Sequence, residues 1–132
     1  MMHQESRPLK GSFVLVVEDE AILAFEIITL LRTAGARVLG PAMSLERALE
    51  LAEAAGLTCA VLDVRLRDGL VFPAAEALRK RGIGIVFYTG QGDPEEIRRN
   101  WPQAKVLLKP APMEKLILAI ISTCKAMQGS GG

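Results

Sequence analysis

The sequence carries almost no surplus of charge. Sixteen Lys and Arg stand against fifteen Asp and Glu, a formal net charge of +1, with the two signs intermixed. A nucleic-acid partner asks for a clustered basic face, so none is expected here. Cysteine is scarce. Cys59 and Cys124 lie far apart, which rules out a disulfide framework and reads as two buried, reduced thiols. The first twelve residues, MMHQESRPLKGS, are polar and lack the apolar centre of a secretory signal. The longest apolar stretch, 21–31, is broken by Glu26 and is too short to span a bilayer. A cytoplasmic chain with no membrane partner is therefore expected. Internal repeats are also missing, and the only biased segment is the glycine-rich end QGSGG. A length of 132 residues suits one domain and leaves no room for a second.

Apolar residues are plentiful. Half of the chain is hydrophobic, enough for a real core. Residues 13–17, 59–63, 83–88 and 106–108 are short apolar runs without alternation, the pattern of strands covered on both faces. Residues 36–39 read as a weaker strand. Helical segments lie between them: 20–34 ending at Gly35, 45–55 after Ser44 as N-cap, 70–81 ending at Gly82, a short helix opened by Asp93 and Pro94, and a last helix from Pro112 to about Met127. Residues 64–69 read as a loop. Strands that alternate with helices imply right-handed crossovers and a parallel α/β sheet. A flexible N-terminal segment (1–12), one domain (13–127) and a flexible tail (128–132) are expected.

The polar residues at the strand ends carry the chemistry. The runs stop at Glu18 and Asp19, at Asp63, at Thr89 and at Lys109. In a parallel sheet these ends share an edge, the edge where open α/β sheets bind ligands. A carboxylate such as Asp63 can act as a covalent nucleophile and form an aspartyl phosphate. A phosphoryl donor is anionic, so the carboxylate needs a hard cation, and Mg²⁺ takes oxygen ligands. Glu18, Asp19 and Asp63 can supply them, with the backbone carbonyl of Arg65 in the following loop. Lys109 would neutralise the phosphoryl oxygens, and Thr89 would donate a hydroxyl hydrogen bond. Each element alone has a plainer reading, as turn, cap or surface residue. All four in order, each at a strand end, point to a single site.

These residues resemble a response-regulator receiver domain of two-component signalling. The pieces that carry the resemblance are VLVVEDE (14–20), VLDVRLRDG (61–69), YTG (88–90) and Lys109-Pro110, over about residues 12–127. The resemblance implies a flavodoxin-like, doubly wound five-stranded parallel sheet, order 2-1-3-4-5, with five helices. It implies Asp63 as phosphoacceptor, Asp19 and Asp63 as direct Mg²⁺ ligands, Glu18 acting through water, and the Arg65 carbonyl completing the set. Thr89 becomes the switch hydroxyl and Lys109 the phosphate-binding lysine, aimed by a cis Lys-Pro bond. Three departures stand out. The loop after Asp63 is short and lacks proline, Gly90 replaces the usual Ala, and Val106 stands where many receivers place a switching Tyr or Phe. The segment 71–91 is also similar, in part, to a subgroup of single-domain regulators from α-proteobacteria.

The implied function is that of a single-domain response regulator. It would take phosphate from a histidine kinase or histidine phosphotransfer protein and either control an output protein or pass the phosphate on, with homodimerisation open. It would catalyse only its own phosphorylation and dephosphorylation. The alternative is a receiver-like protein-binding module that does not use phosphate. A haloacid-dehalogenase-type phosphohydrolase is disfavoured, since Arg65 stands where a second acid is needed. The apolar helix 21–31 reads as core packing or, alternatively, as a docking face around Ala21 and Ile22. Trp101 reads as a structural residue or as a partner anchor.

Overall fold

The continuous apolar runs become strands sandwiched between two layers of helices. The computed structural model describes residues 7–130. In chain order the elements are β1 (Phe13–Val17), α1 (Ala21–Thr33), β2 (Arg37–Ala42), α2 (Leu45–Leu51), β3 (Cys59–Leu62), β4 (Arg65–Leu66), β5 (Gly69–Leu70), α3 (Phe72–Lys80), β6 (Gly84–Thr89), α4 (Pro94–Asn100), β7 (Lys105–Leu108) and α5 (Met113–Ser130). Five strands form one parallel sheet in the order β2-β1-β3-β6-β7. Counted along that sheet, this is the 2-1-3-4-5 order of a flavodoxin-like fold. The order reverses beside β1, which puts a crevice at the carboxyl ends of β1 and β3.

Period-two alternation splits the strand side chains between two cores. Leu15, Val17, Ala60, Leu62, Ile85, Phe87 and Val106 face α2, α3 and α4. Val14, Val16, Cys59, Val61, Val86 and Tyr88 face α1 and α5. Both sides are packed, which explains why these strands carry no polar alternation. Cys59 and Cys124 are buried and free of any disulfide. On the first face Phe72, Phe87 and Trp101 form a ring cluster, with centroids 5.5 to 6.0 Å apart. Trp101 is only 8% exposed, and the Arg79 guanidinium covers its ring at 4.0 Å. It is a core residue rather than a partner anchor. No helix among the described residues is long and apolar enough to cross a membrane.

Several boundaries differ from the sequence reading. β2 runs to Ala42 rather than residue 39, because pairing with β1 resumes at Ala42, opposite Val17, after an irregularity at Gly40 and Pro41. Residues 64–69 are not a plain loop: β4 and β5 pair as a short antiparallel hairpin. α3 begins at Phe72, two residues late, with Pro73 in its first turn. α5 reaches Ser130, into the stretch read as tail. Residues 7–12 are packed rather than loose. Leu9 is fully buried and its amide donates to the Ala34 carbonyl at 2.8 Å. The remainder of the expected flexible segments, 1–6 and 131–132, lies outside the described residues. α1 is not wholly core either. Ala24, Ile27, Ile28 and Leu31 are buried, while Ile22 and Phe25 are 81% and 71% exposed.

The extension of β2 bears on the site. Its last residue, Ala42, accepts the amide of Glu18 at 2.9 Å. Gly40 has φ of +117°, and a Cβ there would sit 2.6 Å from the Val16 carbonyl oxygen. That contact is with backbone and cannot be relieved by a side-chain rotation. Gly40→Ala should therefore cost about 2 kcal/mol or more in urea unfolding, and it should loosen the strand that holds Glu18. A loss under about 0.5 kcal/mol would mean the β1–β2 edge adapts freely.

Candidate functional site

The acids meet because two central strands end together. Val17 of β1 pairs with Leu62 of β3, so the next residues, Glu18 and Asp63, leave the sheet side by side. The Asp63 amide donates to the Val17 carbonyl at 2.9 Å and fixes that exit. Carboxylate oxygens of Glu18, Asp19 and Asp63 all lie within 4.8 Å of one another. Glu18 is only 1% exposed, and its Oε2 accepts the Glu20 amide at 3.1 Å.

One ammonium holds this negative charge. β7 ends beside β6, where the Lys109 amide donates to the Thr89 carbonyl at 2.9 Å. From there Lys109 Nζ reaches Glu18 Oε1 at 3.0 Å, Asp63 Oδ2 at 3.2 Å and Glu20 Oε1 at 3.6 Å. Burial pushes the Glu18 carboxyl up from 4.5 to about 7, aided by the charge of Asp63. The hydrogen bonds from Lys109 and the Glu20 amide only partly offset this. Burial pulls the Lys109 ammonium down, but the hydrogen bond to Glu18 and the charges of Asp63 and Glu18 outweigh it and leave it above its ordinary value. The buried Glu18 and Asp63 thus share the Lys109 ammonium.

A concavity of about 380 Å³ opens over these groups, lined by Asp19, Glu20, Asp63, Arg65, Leu66, Arg67, Gly90, Gln91 and Lys109. Arg65 lies in β4, at its edge. The hairpin is stapled from outside: Asp68 accepts the amides of Leu45 and Glu46 at 2.6 and 3.1 Å, capping α2 together with Ser44. Thr89 is buried, but its hydroxyl is turned to the backbone of Gln91. It donates to the Gln91 carbonyl at 3.1 Å and accepts the Gln91 amide at 3.2 Å. Glu18, Asp19, Asp63 and Lys109 are thus brought together directly. Arg65 borders them, and Thr89 sits at the edge with its hydroxyl bonded elsewhere.

No family model matches the chain. A solved response-regulator receiver protein from Sinorhizobium medicae superposes with a TM-score of 0.80 at 26% identity, over 90% of this chain and 98% of its own. The non-phosphorylated HemR receiver domain from Leptospira biflexa gives 0.76 at 26% identity, over 86% and 94%. The transcriptional regulatory protein PdtaR from Mycobacterium tuberculosis is 35% identical over 111 residues, 81% of this chain. The described fold is a response-regulator receiver domain. The chain spans about half the length of the curated relatives it matches, 54%.

Two residues of this receiver domain escaped the sequence reading. Glu20 reads as a helix opener, yet it reaches Lys109. Arg67 lies in what reads as a featureless loop, yet the hairpin turns it to the concavity. Three consecutive acids, Glu18-Asp19-Glu20, were a usable signal for the first. No sequence signal announced the second.

The raised Glu18 carboxyl has a measurable sign. Folding favours its neutral form, so its contribution is fully present below pH 4.5 and is lost as pH rises through about 7. Glu18→Gln keeps a neutral side chain at every pH. Between pH 5 and 8, without divalent cations, the variant should gain on the wild type by on the order of 2 kcal/mol in unfolding free energy. Urea titrations at the two pH values check this, and a pH-independent difference would contradict it.

Proposed function

We propose that this receiver domain accepts a phosphoryl group on Asp63, from the phosphohistidine of a histidine kinase or a histidine phosphotransfer protein. The observation that carries the reading is the Lys109 ammonium, 3.2 Å from the Asp63 oxygen, inside a cluster of three carboxylates. A carboxylate oxygen of Asp63 attacks phosphorus, and the phosphorus–nitrogen bond of the donor breaks, its electron pair returning to the imidazole. Lys109 is placed to follow the developing charge on the phosphoryl oxygens. Thr89, whose carbonyl accepts the Lys109 amide, would turn its hydroxyl from the Gln91 backbone to the new phosphoryl group. That rotation supplies a local two-state element.

The donor set suits Mg²⁺. Three carboxylates offer hard oxygen ligands within 4.8 Å of one another, the donor type that Mg²⁺ takes. Asp19 and Asp63 would hold the ion directly, Glu18 through water, and the Arg65 carbonyl from the hairpin. Bound there, the ion would offset the repulsion between carboxylate and incoming phosphate. Asp63 and Lys109 would then orient the phosphoryl group.

The exposed Ile22 and Phe25 follow the acidic run 18–20 by two and five residues, on the first turns of α1. Large apolar side chains beside an acidic pocket suit docking of a helical donor. Output passes to a protein partner in the same reading.

Two experiments test this. Incubation with acetyl phosphate and Mg²⁺ should add one phosphoryl mass to the wild type, and none to Asp63→Asn or to the metal-free protein. An adduct that survives in Asp63→Asn would sink the assignment. Ile22→Glu and Phe25→Glu should slow transfer from a phosphohistidine protein by roughly tenfold or more and leave acetyl phosphate uptake unchanged. Equal loss with both donors would contradict the docking face.

A further inference from the structure

Val106 leaves the usual aromatic position of a receiver empty of any ring, and the ring that does approach the site comes from another strand. Tyr88 precedes Thr89 on β6, faces α1 and α5, and is only 3% exposed. Its hydroxyl bonds both backbone groups of one residue: the Ala111 amide donates to it at 3.2 Å, and it donates to the Ala111 carbonyl at 3.3 Å. Ala111 lies two residues beyond Lys109. The Lys109 ammonium itself lies 5.8 Å from the centre of the Tyr88 ring, within reach of a cation–π attraction. A phenyl ring would fill the same apolar space. The hydroxyl is the part the core does not require, and buried hydroxyls must find partners. Here the partner is the segment that carries the lysine.

We propose that Tyr88 is a positioning residue for Lys109, pinning the 109–111 segment by its hydroxyl and the ammonium by its ring. Lys109 has a long, flexible side chain and three carboxylates to choose among at 3.0 to 3.6 Å. Fixing its backbone limits which of them it can reach and keeps the ammonium beside Asp63. The consequence for phosphoryl binding rests on the phosphoacceptor reading above. The pinning itself does not.

The test is Tyr88→Phe against wild type, in two measurements. In the metal-free protein, hydrogen exchange of the Ala111 amide should speed up by roughly fivefold or more, since its acceptor is gone. Unchanged exchange overturns the pinning, whether or not the protein takes phosphate. Beryllofluoride, a phosphoryl mimic, should then bind the variant with Mg²⁺ roughly five- to tenfold more weakly. Mg²⁺ alone should bind it no more weakly, because Lys109 is not a metal ligand. Equal loss of Mg²⁺ and beryllofluoride affinity is a general fold defect and overturns the positioning role, as does unchanged beryllofluoride affinity. A wild type that binds Mg²⁺ but no beryllofluoride overturns the phosphoacceptor reading and the catalytic half of this inference, and leaves the exchange result to decide the pinning.

Discussion

A single ammonium among buried carboxylates governs the working end of this molecule. Lys109 touches the buried Glu18 and Asp63, each just past a strand end, and the exposed Glu20 beside them. Charges this deep are costly unless paired, and removing one partner strands the others. The arrangement therefore demands that three strands end at the same depth. Val17 opposite Leu62 and Thr89 opposite Leu108 meet that demand through backbone register. The sheet order is what makes the site possible, since only a reversal beside β1 brings the acids of β1 and β3 together at an open crevice.

The surroundings make that geometry durable. Phe72, Phe87 and Trp101 lock β6 to α3 and α4 on one face. On the other face Tyr88 reaches the segment that bears Lys109. The hairpin that rims the pocket is tied by Asp68 to the start of α2, so the pocket wall and a surface helix share one joint. Thr89 stands apart from the cluster, its hydroxyl satisfied by Gln91. In the proposed function that hydroxyl is the group free to turn within an otherwise fixed frame.

Much of this was legible in the sequence, for physical reasons. Strands covered on both faces must be apolar throughout, so 13–17, 59–63 and 83–88 announced themselves, as did the polar residues that ended them. Local chemistry also marked Ser44 and Asp93 as caps, and both caps form. What stayed hidden depends on long-range pairing. β2 continues past residue 39 because Ala42 pairs with Val17 beyond the irregularity at Gly40-Pro41, a partner that local sequence does not show. The hairpin after Asp63 is only two residues per strand, and Asp68 gains its role from a helix 22 and 23 residues earlier. Tyr88 read as one more strand residue, since nothing in its neighbours shows that Ala111 will lie at its hydroxyl. For α1 the sequence left two readings, core packing and a docking face around Ala21 and Ile22, because Ile22 and Phe25 have core-like chemistry without a core position.

The central claim is that Lys109 is the internal counter-ion of a carboxylate cluster built to take a divalent cation. Thermal unfolding of wild type and Lys109→Met, with and without Mg²⁺, tests it most directly. Without the ion, Lys109→Met should melt several degrees below wild type, because the buried acids lose their cation. Added Mg²⁺ should stabilise both proteins and recover most of the variant's deficit, since binding to the folded state replaces the lost charge. A variant as stable as wild type without Mg²⁺, or a deficit that Mg²⁺ does not touch, would contradict the account.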